Sequence, residues 1–119
     1  MYLPLGSDQE KSDTMKKVAV IGKPANGKST LSKQLSSATL IPLYPVDSIL
    51  YRPNGEEVDR QSYIDVHEKI LATDSWILEG FGPLDSLDSF HRRLDLADTV
   101  IYIDLPYSVS YWLVTKRLL

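Results

Sequence analysis

Nine consecutive residues, Gly22-Lys23-Pro24-Ala25-Asn26-Gly27-Lys28-Ser29-Thr30, carry the clearest chemistry in this chain. They fit the pattern G-x-x-x-x-G-K-[ST], a loop whose backbone N–H groups cradle phosphate oxygens. Gly22 and Gly27 are expected to let the backbone curl where a Cβ would clash. Lys28 adds a point charge on the outer phosphates, and the Ser29 hydroxyl suits a nucleotide-bound Mg²⁺. The context supports the pattern. The apolar run Val18-Ala19-Val20-Ile21 precedes it, and Leu31 and Leu35 follow at helical spacing. Strand, loop and helix in that order place an anion at a helix N-terminus.

The elements that must position this loop come from alternating strand and helix signals. Four short apolar runs read as buried strands near Lys17–Ile21, Leu40–Tyr44, Ser75–Leu78 and Thr99–Ile103. Helices are expected over Lys28–Ser36, over Gln61–Ala72 with Asp59 as an N-cap, over Leu87–Leu96, and from Ser108 to the end. Such alternation makes an α/β fold with a mainly parallel sheet and right-handed crossovers. Ligands bind outside the carboxyl ends of such strands. The phosphate loop, Asp47, Glu79 and Asp104 all fall at those ends. Pro53-Asn54-Gly55-Glu56 reads as a turn in an insertion spanning about residues 48–74.

Each candidate has a bland reading beside the sharp one. Asp47 binds or deprotonates an acceptor hydroxyl, or it caps a helix. Glu79 holds Mg²⁺ through water, or it caps a turn. Asp104, before Leu105-Pro106, is read as structural. Arg52, Arg60, Arg92 and Arg93 are candidate phosphate clamps, with a solvated surface role as the alternative. His67 shares a helical face with Ile64, Ile70 and Leu71 and is read as a semi-buried packing residue. Trp76 and Trp112 are read as core aromatics, with a position bordering the adenine as the alternative for Trp112.

Bulk properties narrow the field. A chain of 119 residues, 43% hydrophobic and 24% charged, makes one globular domain. Its net charge of −3 argues against direct nucleic-acid binding. Without cysteine, disulfides, thiolate catalysis and cysteine-bound zinc are excluded. The two histidines, His67 and His91, do not suggest a metal cluster. Neither a long apolar span nor a signal peptide is evident, so a cytoplasmic location without membrane contact is expected. Residues 1–14 mix Pro4, Gly6, Ser7 and charges without periodicity and are expected to form a disordered extension to a domain over 15–119.

From Lys17 to Arg117 the chain resembles the adenylate-kinase-like P-loop proteins, especially the small kinase-like group labelled topology-modulation proteins. The residues that carry the likeness are Gly22–Thr30, Ile41-Pro42-Leu43-Tyr44 leading to Asp47, Trp76-Ile77-Leu78-Glu79-Gly80, Ala97-Asp98-Thr99-Val100-Ile101 and Ile103-Asp104-Leu105-Pro106. The resemblance implies a three-layer P-loop fold with strand order 2-3-1-4-5, ATP with Mg²⁺ as donor, and transfer of a phosphoryl group to a small acceptor. It places Glu79 where related kinases have Asp-Gly, Arg52 and Arg60 in the insertion where they bind the acceptor, and Lys116-Arg117 where they carry basic residues in the helix after strand 4, with Arg117 a candidate catalytic phosphate clamp.

The chain departs from that pattern in three places. Glu79-Gly80-Phe81-Gly82-Pro83 lacks the Arg that relatives carry after strand 3, and Leu113 stands where many have an Arg that contacts nucleotide. Relatives also continue past the position of Leu119 with a lid, a fifth strand and a last helix. The order 2-3-1-4 without a fifth strand is therefore expected, with an open edge beside strand 4 that invites self-association. Two functions follow: an ATP/Mg²⁺-dependent phosphotransferase, or a nucleotide-binding relative with little catalysis that acts through a partner or a second copy. A GTPase is disfavoured because no Asn-Lys-x-Asp segment is present.

Overall fold

A computed structural model describes residues 15–22, 28–103 and 111–115, and the backbone alone for 28–29 and 111–115. The expected disordered extension at 1–14 lies outside the described residues. Four parallel strands, β1 (Lys17–Gly22), β2 (Leu43–Pro45), β3 (Trp76–Glu79) and β4 (Thr99–Ile103), lie in the order β2-β3-β1-β4, as the sequence led us to expect. Val18 faces Ile77 on one side and Thr99 on the other, so β1 is central and its side chains are enclosed on both faces.

The pleat sorts those side chains into two cores. Val18, Val20, Ile77, Ile101 and Ile103 face helix α1 (Lys28–Thr39), which contributes Leu31 and Leu35. Ala19, Trp76 and Leu78 face the opposite layer, built from α2 (Val46–Leu50), α3 (Arg60–Leu71) and α4 (Leu87–Leu96). That layer supplies Val46, Leu50, Tyr63, Ile70 and Leu71. Three layers result, with the sheet in the middle.

Local chemistry sets the boundaries. Asp59 caps α3: its carboxylate accepts from the Ser62 backbone N–H at 3.1 Å and from the Ser62 hydroxyl at 2.7 Å. Asp98 fixes the start of β1 against β4, accepting from the Lys16 and Lys17 N–H groups at 2.9 Å each. The turn at Pro53-Asn54-Gly55-Glu56 forms as expected, with Asn54 Oδ1 accepting from Glu56 N–H at 3.0 Å and Gly55 at φ 90°.

Two expectations are corrected and one unforeseen element is added. First, α1 extends beyond Ser36 to Thr39 and ends on Leu40 at φ 63°, whose N–H donates to Ser36 O at 2.8 Å. That left-handed cap consumes Leu40, so β2 begins only at Leu43 rather than Leu40. Second, Val46–Leu50 forms a short helix, in which Val46 and Leu50 are buried at i, i+4 spacing. Third, the expected helix from Ser108 is replaced, over the part described, by a strand. This strand, β5 (Tyr111–Thr115), pairs antiparallel with β4 from Ile103↔Tyr111 to Thr99↔Thr115. Tyr-Trp-Leu-Val-Thr is rich in aromatic and β-branched residues, and pairing satisfies the backbone groups of β4. A fifth strand is thus present, and the edge beside β4 is closed by this chain itself.

Candidate functional site

The carboxyl ends of β1, β2 and β3 form one rim. Gly22, the first glycine of the phosphate-loop pattern, ends β1. A Cβ there would lie 2.5 Å from the carbonyl oxygen of Ile103, so glycine is required by the close approach of β1 to β4. The requirement expected at Gly22, space for a phosphate, is thus joined by a packing one. Lys23, Pro24, Ala25, Asn26 and Gly27 lie outside the described residues. Lys28, Ser29 and Thr30 open α1, so a helix N-terminus follows the loop as the pattern demands.

Glu79 ends β3 directly beside β1, in register with Val20. It stands next to the segment that leads into the loop, where a hard oxygen donor suits Mg²⁺. Asp47 is the second residue of α2 and is exposed at the end of β2. Pro45, not Asp47, occupies the N-cap position, so the capping alternative for Asp47 does not hold. A cleft of about 500 Å³ opens here, lined by Asp47, Leu50, Tyr51, Glu57, Arg60 and Gly82 to Asp85. Since β3 lies between β2 and β1, the end of β2 and Gly22 at the end of β1 are two strand spacings apart, about 10 Å.

The wall of the cleft after β3 is held from inside the protein. Arg93, fully buried on α4, donates through Nη1 to Gly80 O and through Nη2 to Phe81 O at 3.2 Å. Its Nε donates to His67 Nε2 at 3.2 Å, and the guanidinium lies 5.3 Å from the Phe90 ring centroid. Gly82, at φ 93°, packs so closely that an added Cβ would sit 2.5 Å from the Tyr63 hydroxyl. Burial, with the Arg93 charge second, lowers the His67 pKa from 6.5 to about 4. The imidazole is therefore neutral at pH 7, with Nε2 the acceptor and the proton on Nδ1.

The other arginines separate by environment. Arg92 makes a bidentate pair with Glu68 of α3, at 2.6 and 2.8 Å, and so ties two helices together. Arg60 faces the cleft but pairs with Asp85 at 2.9 Å. Arg52 lies in the exposed turn. Of the proposed clamps, Arg93 is thus a structural residue; sequence alone did not reveal this, because its partners are 12 to 26 residues away. Trp76 is fully buried, as read, and His67, read as semi-buried, is fully buried as well. Asp104 and Arg117 lie outside the described residues, as does the Trp112 side chain. No group of three or more acidic, histidine or cysteine side chains that would hold a metal unaided occurs among the described residues.

No family model matches the chain, and no curated protein does. A match among solved structures is shikimate kinase from Aquifex aeolicus vf5, with a TM-score of 0.57 and 22% identity. It covers 76% of this chain and 60% of that one. The fold is that of a P-loop kinase. Within the P-loop kinase fold, the rim formed by β1, β2 and β3 is the place where ligands are expected to sit. No helix among the described residues is long and apolar enough to cross a membrane.

Proposed function

We propose that the chain is an ATP/Mg²⁺-dependent phosphotransferase acting on a small hydroxyl acceptor. The observation that carries this reading is the Asp47-lined cleft at the end of β2, on the same carboxyl rim as Gly22, the first residue of the phosphate-loop pattern. In this reading Gly22–Thr30 binds the triphosphate, with Lys28 on its outer phosphates. Ser29 and, through water, Glu79 hold Mg²⁺, which neutralises developing charge. Asp47 orients the acceptor hydroxyl and takes its proton as the oxygen bonds to the γ-phosphorus. The bond from that phosphorus to the bridging oxygen breaks, and ADP leaves. Arg117 adds positive charge at the transferring group.

Acceptor-dependent ADP release, measured over a panel of nucleosides, nucleotides and sugars, tests this reading. Lys28→Ala should abolish release, and Asp47→Asn should lower it by about two orders of magnitude while leaving ATP affinity within about twofold. ATP binding without acceptor-dependent release in the parent protein would favour a nucleotide-binding role instead.

A further inference from the structure

We infer that the acceptor is a neutral or amine-bearing alcohol and not a carboxylate or phosphate ester. This rests on the phosphotransferase reading of the cleft. Three carboxylates, Asp47, Glu57 and Asp85, line the cleft, and Arg60 is the sole cation among its described lining residues. That cation is already engaged. Arg60 Nε lies 2.9 Å from Asp85 Oδ1, and Nη2 lies 3.3 Å from Asp85 Oδ2 and 3.6 Å from Glu57 Oε1. Its remaining nitrogen, Nη1, is shut off from solvent and makes no hydrogen bond, so the engagement of Arg60 rests on its Nε and Nη2 contacts with Asp85 and Glu57.

The pairing decides the sign of the cleft's described lining. An anionic acceptor needs an available guanidinium or ammonium to offset its loss of hydration. Here the guanidinium is compensated twice over, and Asp47 remains as an exposed carboxylate at the place the acceptor hydroxyl would occupy. A second acid group beside these carboxylates is repelled, whereas an ammonium or a set of neutral hydroxyls finds acceptors. The exposed rings and chains at the rim, Tyr51 and Leu84, offer apolar contact to the body of such a molecule.

Two measurements test the inference. In the first, paramagnetic relaxation of the Tyr51, Gly82 and Leu84 amides is compared for an amine-bearing nitroxide and its carboxylate analogue. Enhancement by the cation should exceed that by the anion at least threefold more than at exposed amides of α1, which correct for the overall charge. Glu57→Gln with Asp85→Asn should remove the excess by releasing Arg60. A preference for the carboxylate nitroxide in the unmodified protein, or no local excess, overturns the inference. In the second, ATP-dependent transfer is measured to glucosamine, glucose and glucuronate, and to uridine and its 5′-monophosphate. Faster transfer to an acidic member than to its neutral partner overturns the charge rule while upholding phosphotransfer. Absence of transfer to every member counts against the phosphotransferase reading, and the nitroxide comparison still decides the sign of the cleft.

Discussion

Arg93 donates its Nε–H to His67 Nε2 across 3.2 Å, in a contact that joins α4 to α3 with both residues fully buried. The guanidinium's other donors hold the Gly80 and Phe81 carbonyls, so one side chain links two helices to the loop after β3. Neutral His67 is what permits this. An imidazolium would present an N–H toward Arg93 where an acceptor is needed, and would set two positive charges together.

Stability should therefore fall as pH drops through the His67 window. The folded pKa of about 4 lies below the ordinary 6.5, so between these values the unfolded chain holds more protons. From pH 7 to pH 5 this one group should remove about 2 kcal/mol of unfolding free energy. His67→Gln keeps an acceptor for Arg93 but cannot titrate. Urea denaturation at pH 7 and pH 5 should show the loss in the parent protein and little of it in the variant. Equal losses in both would place the pH dependence elsewhere.

Removing the guanidinium should be costly in a different way. Arg93→Met removes two charge-assisted hydrogen bonds, to the part-buried Gly80 and Phe81 carbonyls, each contributing about 1.5–3 kcal/mol. A total destabilisation of about 3–5 kcal/mol is expected. The same change removes a neighbouring positive charge, so the His67 pKa should rise from about 4 toward its ordinary value. Imidazole titration by NMR in Arg93→Met measures this directly. An unchanged His67 pKa would show that burial alone sets it.

Much of this architecture was legible from short-range pattern. The strand β4 and the helix α4 fall where period and composition place them, and Asp59 caps α3 as its type and position suggest. What escaped depends on distant partners or on competition between weak signals. Arg93 looks like any surface arginine until the fold brings Gly80 and His67 to it. Tyr111–Thr115 has apolar residues compatible with either period, and only the exposed backbone of β4 selects the strand. Val46–Leu50 is too short for its period to stand out. The candidate site divides the same way: the loop pattern and Asp47 are local signals, whereas the pairing of Arg60 with Asp85 spans 25 residues.

Gly82 should tolerate no side chain. Its φ of 93° strains any L-residue, and a Cβ would meet the Tyr63 hydroxyl at 2.5 Å. Gly82→Ala is expected to cost about 2–4 kcal/mol from the two causes together. In a double-mutant cycle with Tyr63→Phe the steric part should be relieved, giving a coupling of about 1 kcal/mol or more. Additive losses would mean that backbone strain carries the whole effect.

Leu40 invites the opposite change. It caps α1 in the left-handed region at φ 63° and is 87% exposed, so its side chain contributes strain and little burial. Glycine adopts that conformation without the Cβ clash, which for other residues costs about 1–2 kcal/mol. Against this stands the greater freedom of glycine in the unfolded chain, which takes back about 0.5–1 kcal/mol. Leu40→Gly should therefore stabilise by about 0.5–1 kcal/mol. Leu40→Ala, which retains the Cβ, should not. Parallel urea titrations of the three proteins separate the cases: if alanine matches glycine, the gain comes from removing an exposed leucine and not from the helix cap.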